Sequence, residues 1–202
     1  MKRALLMVAA LLLLPASAAL ADESGFRYFG SAGKSSDPQN PANDVVRIQT
    51  SASPPVAGGV SRRLGDKVPD LDNQLSVKYF MQSGTCQLGS PRYQLAIDTD
   101  GDGNSNGNAF GYLGLTPSFI CPTATNNWEY EDLTDADLEW DITQFGGPFY
   151  NTWDQVEAFF VAFPNHKVLR GALVQDPYDM TAFYDNITIG NGTLSDPKHG
   201  PS

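Results

Sequence analysis

The chain is poor in the residues on which most enzyme motifs are built. Histidine occurs twice, at His166 and His199, and cysteine twice, at Cys86 and Cys121. It contains no Gly-x-Ser-x-Gly nucleophile elbow and no His-Glu-x-x-His zinc motif, so serine-hydrolase and zincin chemistry have no local signature. Basic residues are scarce: 13 Lys and Arg stand against 23 Asp and Glu, for a formal net charge of −10. That balance argues against nucleic acid and anionic membrane surfaces as partners. Beyond the amino terminus no apolar run approaches the roughly 20 residues needed to cross a bilayer, so membrane insertion is not expected.

The amino terminus has the pattern of a secretory leader. Lys2 and Arg3 precede the apolar run from Ala4 to Leu14, and Ala19-Leu20-Ala21 is a small-x-small cleavage site. The expectation is a signal peptide over 1–21 and a mature protein secreted to the periplasm or beyond. Losing Lys2 and Arg3 with the leader takes the formal charge from −10 to −12. In an oxidising compartment Cys86 and Cys121 read as one disulfide. The chain-entropy account makes such a bridge worth roughly 3–4 kcal/mol; two separate buried thiols are the alternative.

Texture along the chain predicts a polar, flexible arm over 22–43, one domain over 44–190 and a polar tail over 191–202. Val45–Thr50 is the first strand candidate, and Ser51–Asp72 reads as loop-rich, with Pro54-Pro55, Gly58-Gly59 and Arg62-Arg63. Leu75, Val77, Tyr79 and Met81 alternate with Ser76, Lys78, Phe80 and Gln82, a period-2 strand. Tyr93, Leu95 and Ile97 begin another, and Phe110, Tyr112 and Leu115 lie in a third, where Gly111 and Gly114 suggest bulges or close backbone approach. Val168–Val174 and Ala182–Ile189 complete the set. One helix is expected at about 152–163: Thr152 and Gln155 form a capping box, Val156, Phe159, Phe160 and Phe163 follow near helical spacing, and Pro164 ends it. Short strands separated by Gly, Pro and Asn turns indicate an all-β sandwich, with an α+β domain as the alternative.

The densest chemical signal is Asp98-Thr-Asp-Gly-Asp-Gly-Asn-Ser-Asn-Gly-Asn108. Asp98, Asp100, Asp102, Gly103, Asn104 and Asn106 fall on positions 1, 3, 5, 6, 7 and 9 of an EF-hand-type loop, while Ala109 stands where its bidentate Glu would be. Carboxylates at i, i+2 and i+4 repel one another unless a cation or solvent intervenes, so calcium is the expected ion. Calcium takes six to eight oxygens, more than the loop supplies. Water or a distant acid must complete the shell: Asp185, or the acidic segment Glu129–Asp141, in which Asp135, Asp137, Glu139 and Asp141 alternate with Leu138, Trp140 and Ile142. Because strands flank the loop, it is expected to brace a sandwich rather than to switch a helix pair.

Aromatic residues gather between Trp128 and Trp153. Flat rings stack on the C–H faces of sugars, and Trp128, Tyr130 and Tyr150, beside polar turns, are the candidates for an exposed ligand-binding set.

Two stretches resemble secreted bacterial jelly-roll domains of the carbohydrate-binding-module and galactose-binding-like type. Gly89-Ser-Pro-Arg-Tyr93 with Leu95-Ala-Ile-Asp98 is similar to an early strand of these domains. Leu173-Val-Gln-Asp176 and Phe183-Tyr-Asp-Asn-Ile-Thr-Ile189 are similar to their closing strands. The acidic loop itself resembles a dockerin or thrombospondin type 3 loop. The resemblance implies a jelly-roll β-sandwich, a structural calcium, Asp185 as a metal or core-polar residue, and binding of glycan or cell-wall polysaccharide. No spacing of carboxylates singles out a catalytic pair, so binding is favoured over catalysis. A surface protein with purely stabilising calcium and a small secreted glycan hydrolase are the alternatives.

Overall fold

The computed structural model describes residues 25–84, 89–113, 126–135 and 140–197. Its strands are β1 Phe26–Gly30, β2 Ala32–Ser36, β3 Asp44–Ala52, β4 Pro55–Val56, β5 Gly58–Arg63, β6 Leu75–Ser83, β7 Arg92–Asp98, β8 Gly107–Tyr112, β9 Trp128–Asp132, β10 Trp140–Asp141, β11 Phe149–Asn151, β12 Lys167–Gln175, β13 Met180–Ile189 and β14 Gly192–Leu194. They form two antiparallel sheets. Sheet A runs β1-β5-β12-β7-β8-β10-β11 and sheet B runs β2-β3-β13-β6-β9, with β4 on β3 and β14 on β13.

Eight of these strands fix the topology. In chain order they are β3, β5, β6, β7, β8, β9, β12 and β13. Sheet B places the first, eighth, third and sixth side by side, and sheet A the second, seventh, fourth and fifth. That alternation is the double Greek key of a jelly roll. The all-β expectation holds.

Period-2 alternation puts one face of each strand between the sheets. Leu75, Val77, Tyr79 and Met81 of β6 and Tyr93, Leu95 and Ile97 of β7 are buried there, as their spacing predicts, with Val46, Ile48, Val60, Leu173 and Tyr184. Fully burying side chains of this size is worth about 1.5–3 kcal/mol each. Two buried tyrosines bond their hydroxyls within the core. The Tyr93 hydroxyl in sheet A donates at 2.7 Å to the Ser76 carbonyl and lies 3.1 Å from the Thr188 carbonyl, both in sheet B. The Tyr184 hydroxyl donates to Gln175, whose amide reaches Thr50 and the Met180 carbonyl.

The helix α1, Trp153–Phe160, begins at the predicted capping box: Thr152 Oγ1 accepts from the Gln155 N–H while Gln155 Oε1 accepts from the Thr152 N–H. Trp153, Val156 and Phe160 face the core, and Trp153 lies 4.9 Å from Trp140, ring centroid to centroid.

Three expectations need correction. The supposed arm over 22–43 contains β1 and β2, edge strands of the two sheets; Phe26 is fully buried, and one apolar anchor among polar residues leaves too weak an alternation to read. The supposed loop over 51–72 contains β5, a strand inside sheet A. Its glycines mark crowding rather than a turn: a Cβ on Gly58 would meet Ile48 Cγ2 at 2.9 Å, and one on Gly59 the Phe29 ring at 2.4 Å. The supposed tail contains β14. In β8 Ala109 faces the core and Gly111 lies close under the Trp140 ring, as its glycine suggests, while Phe110 and Tyr112 stack on the outer face. Cys86, Cys121, Leu115, Asp137, Leu138, Glu139 and the leader lie outside the described residues.

Candidate cation loop and binding groove

The acidic loop joins β7 to β8 at one end of sheet A. Asp98 is the last residue of β7, on the outward phase shared with Gln94 and Ala96, yet the loop folds over it and leaves it 1% exposed. Its carboxylate organises the turn. Oδ1 accepts from the N–H of Gly101 at 2.7 Å and of Asp100 at 3.1 Å; Oδ2 accepts from the Gly103 N–H at 2.8 Å. Gly101 and Gly103 adopt φ of 85° and 86°, the left-handed region that bends the chain around the carboxylate. Burial pushes the Asp98 carboxyl up, but the N–H groups of Gly101, Gly103 and Asp100 outweigh it and hold its pKa below the ordinary carboxylate value.

Carboxylate oxygens of Asp98, Asp100 and Asp102 lie within 4.8 Å of one another. Among the described residues no Lys or Arg forms an ion pair with any of them. Hard oxygen donors with uncompensated charge suit a divalent cation of the calcium type. Asn106 and Asp185, two other predicted ligands, each make contacts of their own. Asn106 Oδ1 accepts from the Thr99 N–H at 2.6 Å and lies 2.9 Å from Thr99 Oγ1, so the side chain closes the loop's base. Asp185 sits on sheet B, opposite Lys78 of β6. Asn104 remains in the loop, its N–H and side-chain amide donating to Asp102. In the acidic segment, Asp141 is buried under the Tyr112 hydroxyl and accepts from the Thr143 N–H, away from the loop.

The predicted aromatic set divides. Trp128 and Tyr130, two apart on β9, share the outer face of sheet B. Trp128 packs on Phe80 and donates its indole N–H to Asp37 at 3.2 Å, covering an outer cluster with Val45 and Phe183. That cover explains why Phe80, on the solvent phase of β6, is 4% exposed. Tyr130 is 59% exposed and borders a groove of about 380 Å³ with Lys78, Asp37 and Asp185. Tyr150 lies on β11 in sheet A, at φ 62°, beside a separate hollow formed with Gln155 and Phe159.

A further concavity is one the sequence did not reveal. It crosses the outer face of sheet A, with a volume of about 730 Å³. Short side chains at adjacent strand positions, Ser61, Ala172 and Ala96, form its floor. Arg27 and Phe29 of β1 rise on one side, and residues Ser105–Asn108, where the acidic loop returns into β8, form the other. Arg63 and Arg170 stand at its end. Gln94 and Asn108 add side-chain amides, linked at 3.0 Å.

No protein-family model, no curated protein and no solved structure matches this chain.

Proposed function

We propose that the protein is a secreted binding module for glycan or cell-wall polysaccharide, stabilised by calcium at the acidic loop, and that the groove across sheet A holds the ligand. The observation carrying this reading is the groove itself. It is open along the sheet, floored by small side chains and edged by arginines, amides and the Phe29 ring, which is 38% exposed. An extended saccharide needs that combination: a shallow channel, planar polar groups for hydroxyls, and an apolar surface for ring C–H faces.

The calcium would be held by the carboxylates of Asp98, Asp100 and Asp102, with the Asn104 carbonyl and water completing the shell. It would supply rigidity. The loop's return limb, Ser105–Asn108, is a wall of the groove, so an ordered loop presents an ordered wall. This reading makes calcium support binding indirectly. A purely structural role for calcium remains the competing view, since Asp98 already ties the loop through backbone N–H groups.

Retention on a panel of insoluble and soluble polysaccharides, with calcium and with chelator, tests the proposal. Binding to at least one glycan, lost or weakened by Ala172→Trp in the groove floor while the fold persists, supports it. Retention on no glycan removes it.

A further inference from the structure

The groove's charge is opposite to that of the molecule around it. The chain carries a net −10, yet no carboxylate lines this concavity, and three arginines do: Arg27, Arg63 and Arg170. They come from three neighbouring strands, β1, β5 and β12, all on the outward phase, and all are exposed. Among the described residues none of the three has an ion pair or a side-chain hydrogen bond. Arg92, on the same face, shows what a committed arginine looks like here: it is paired with Asp176 and lies over the Phe110 ring. Arg63 and Arg170 are moreover direct cross-strand partners, an arrangement that like charges disfavour. Unpaired guanidinium forks side by side suit planar, bidentate recognition of an anion.

We infer that the ligand of the sheet A groove is an acidic polysaccharide, a chain bearing carboxylate or sulfate groups that Arg27, Arg63 and Arg170 bind. The inference rests on the reading of this groove as a glycan site and adds its charge class. The surroundings narrow the polyanion. Asp100 and Asp102 are exposed on the loop whose return limb forms the groove wall, and the chain as a whole carries a net −10. A densely charged polymer such as nucleic acid, with a phosphate at every residue, meets repulsion from the loop side. A sugar chain with sparse charges and apolar ring faces meets the arginines and the Ala96–Ala172 floor.

The test is affinity electrophoresis of the purified protein through gels holding gellan, with its sparse carboxylates, κ-carrageenan, with its sparse sulfates, a neutral xylan or single-stranded DNA, at two salt concentrations. The expected result is retardation by an acidic glycan that weakens with salt and falls on the order of tenfold in Arg63→Gln/Arg170→Gln. Retardation by only one of the two acidic glycans assigns carboxylate or sulfate. Arg27→Gln, on a different strand, provides a second variant should the double substitution fail to fold, and must weaken binding as well. Xylan binding that equals acidic-glycan binding and ignores the arginines overturns the charge inference and leaves the glycan site standing. No retardation by any glycan overturns both. DNA binding as strong as glycan binding overturns the assignment to polysaccharide.

Discussion

Arg63 of β5 and Arg170 of β12 stand directly opposite one another in an antiparallel pair, with no acidic side chain among the groove's lining residues to separate their charges. A pair of like charges in that position costs roughly 0.2–1 kcal/mol relative to neutral neighbours. Arg170→Gln should therefore leave the melting temperature unchanged or raise it slightly, and wild-type stability should rise more with added salt than that of the variant. Thermal melts at low and moderate ionic strength check this. A clear loss of stability in Arg170→Gln would show that the guanidinium is structurally engaged.

Calcium should raise the melting temperature, and chelator should reverse the rise. An ion at a hundred times its dissociation constant adds about 2.7 kcal/mol. Asp98→Ala should destabilise the apoprotein as well, since the N–H groups of Gly101, Gly103 and Asp100 lose their acceptor. Asp102→Asn should leave the apoprotein nearly intact and blunt the calcium response, because the Asp102 carboxylate accepts only from Asn104 within the loop. Melts of both variants with and without calcium separate the two effects.

Asp37 gives an acid-sensitive anchor. Burial pushes its carboxyl up, but the N–H of Gln39, the Asn43 amide, the Trp128 indole and the N–H of Asn40 together bring its pKa below the ordinary 3.8. A depressed carboxylate contributes stability that is fully present above the unfolded value and is lost as pH falls through the folded one. Trp128 fluorescence should thus be steady from pH 7 down to about 4 and change below that. Asp37→Asn should remove the step, as seen in an acid titration of emission.

Gly111 sets the floor under Trp140. A Cβ there would lie 2.9 Å from the indole ring, so Gly111→Ala should cost about 1–3 kcal/mol through overpacking. Thr152→Ala, which breaks the cap of α1, should cost about 1 kcal/mol. Denaturant unfolding of both variants measures these values, and a neutral Gly111→Ala would mean that the Trp140–Trp153 pair repacks freely.

Alternation made the central strands readable, because β6 and β7 each bury one face against the opposite sheet. The cap of α1 was equally plain, since Thr152 and Gln155 satisfy each other locally. Where a second apolar layer lies outside the sheet, the alternation deceives: Phe80 breaks the pattern because Trp128 covers it, and Tyr112 is buried on the outer face between Phe110 and Phe149. Edge strands β1 and β2 carry too few buried positions to stand out from a linker. The groove was not legible at all. Arg27, Arg63 and Arg170 are far apart along the chain, and only the β1-β5-β12 order brings them together. For the same reason Asp185, similar in type to the loop's acids, turned out to be on the other sheet.

The turn at Gly30–Ser31 has a mechanical consequence. The chain leaves β1 in sheet A and enters β2 in sheet B within two residues, with the Ser31 N–H held by the Ala57 carbonyl at 3.1 Å. Tension applied ahead of β1 therefore loads the margins of both sheets before it reaches the central strands. The first piece to yield carries Arg27 and Phe29, one wall of the groove, while β5 to β13 keep their shape. Under pull, grip on a ligand should fail well before the body of the domain does.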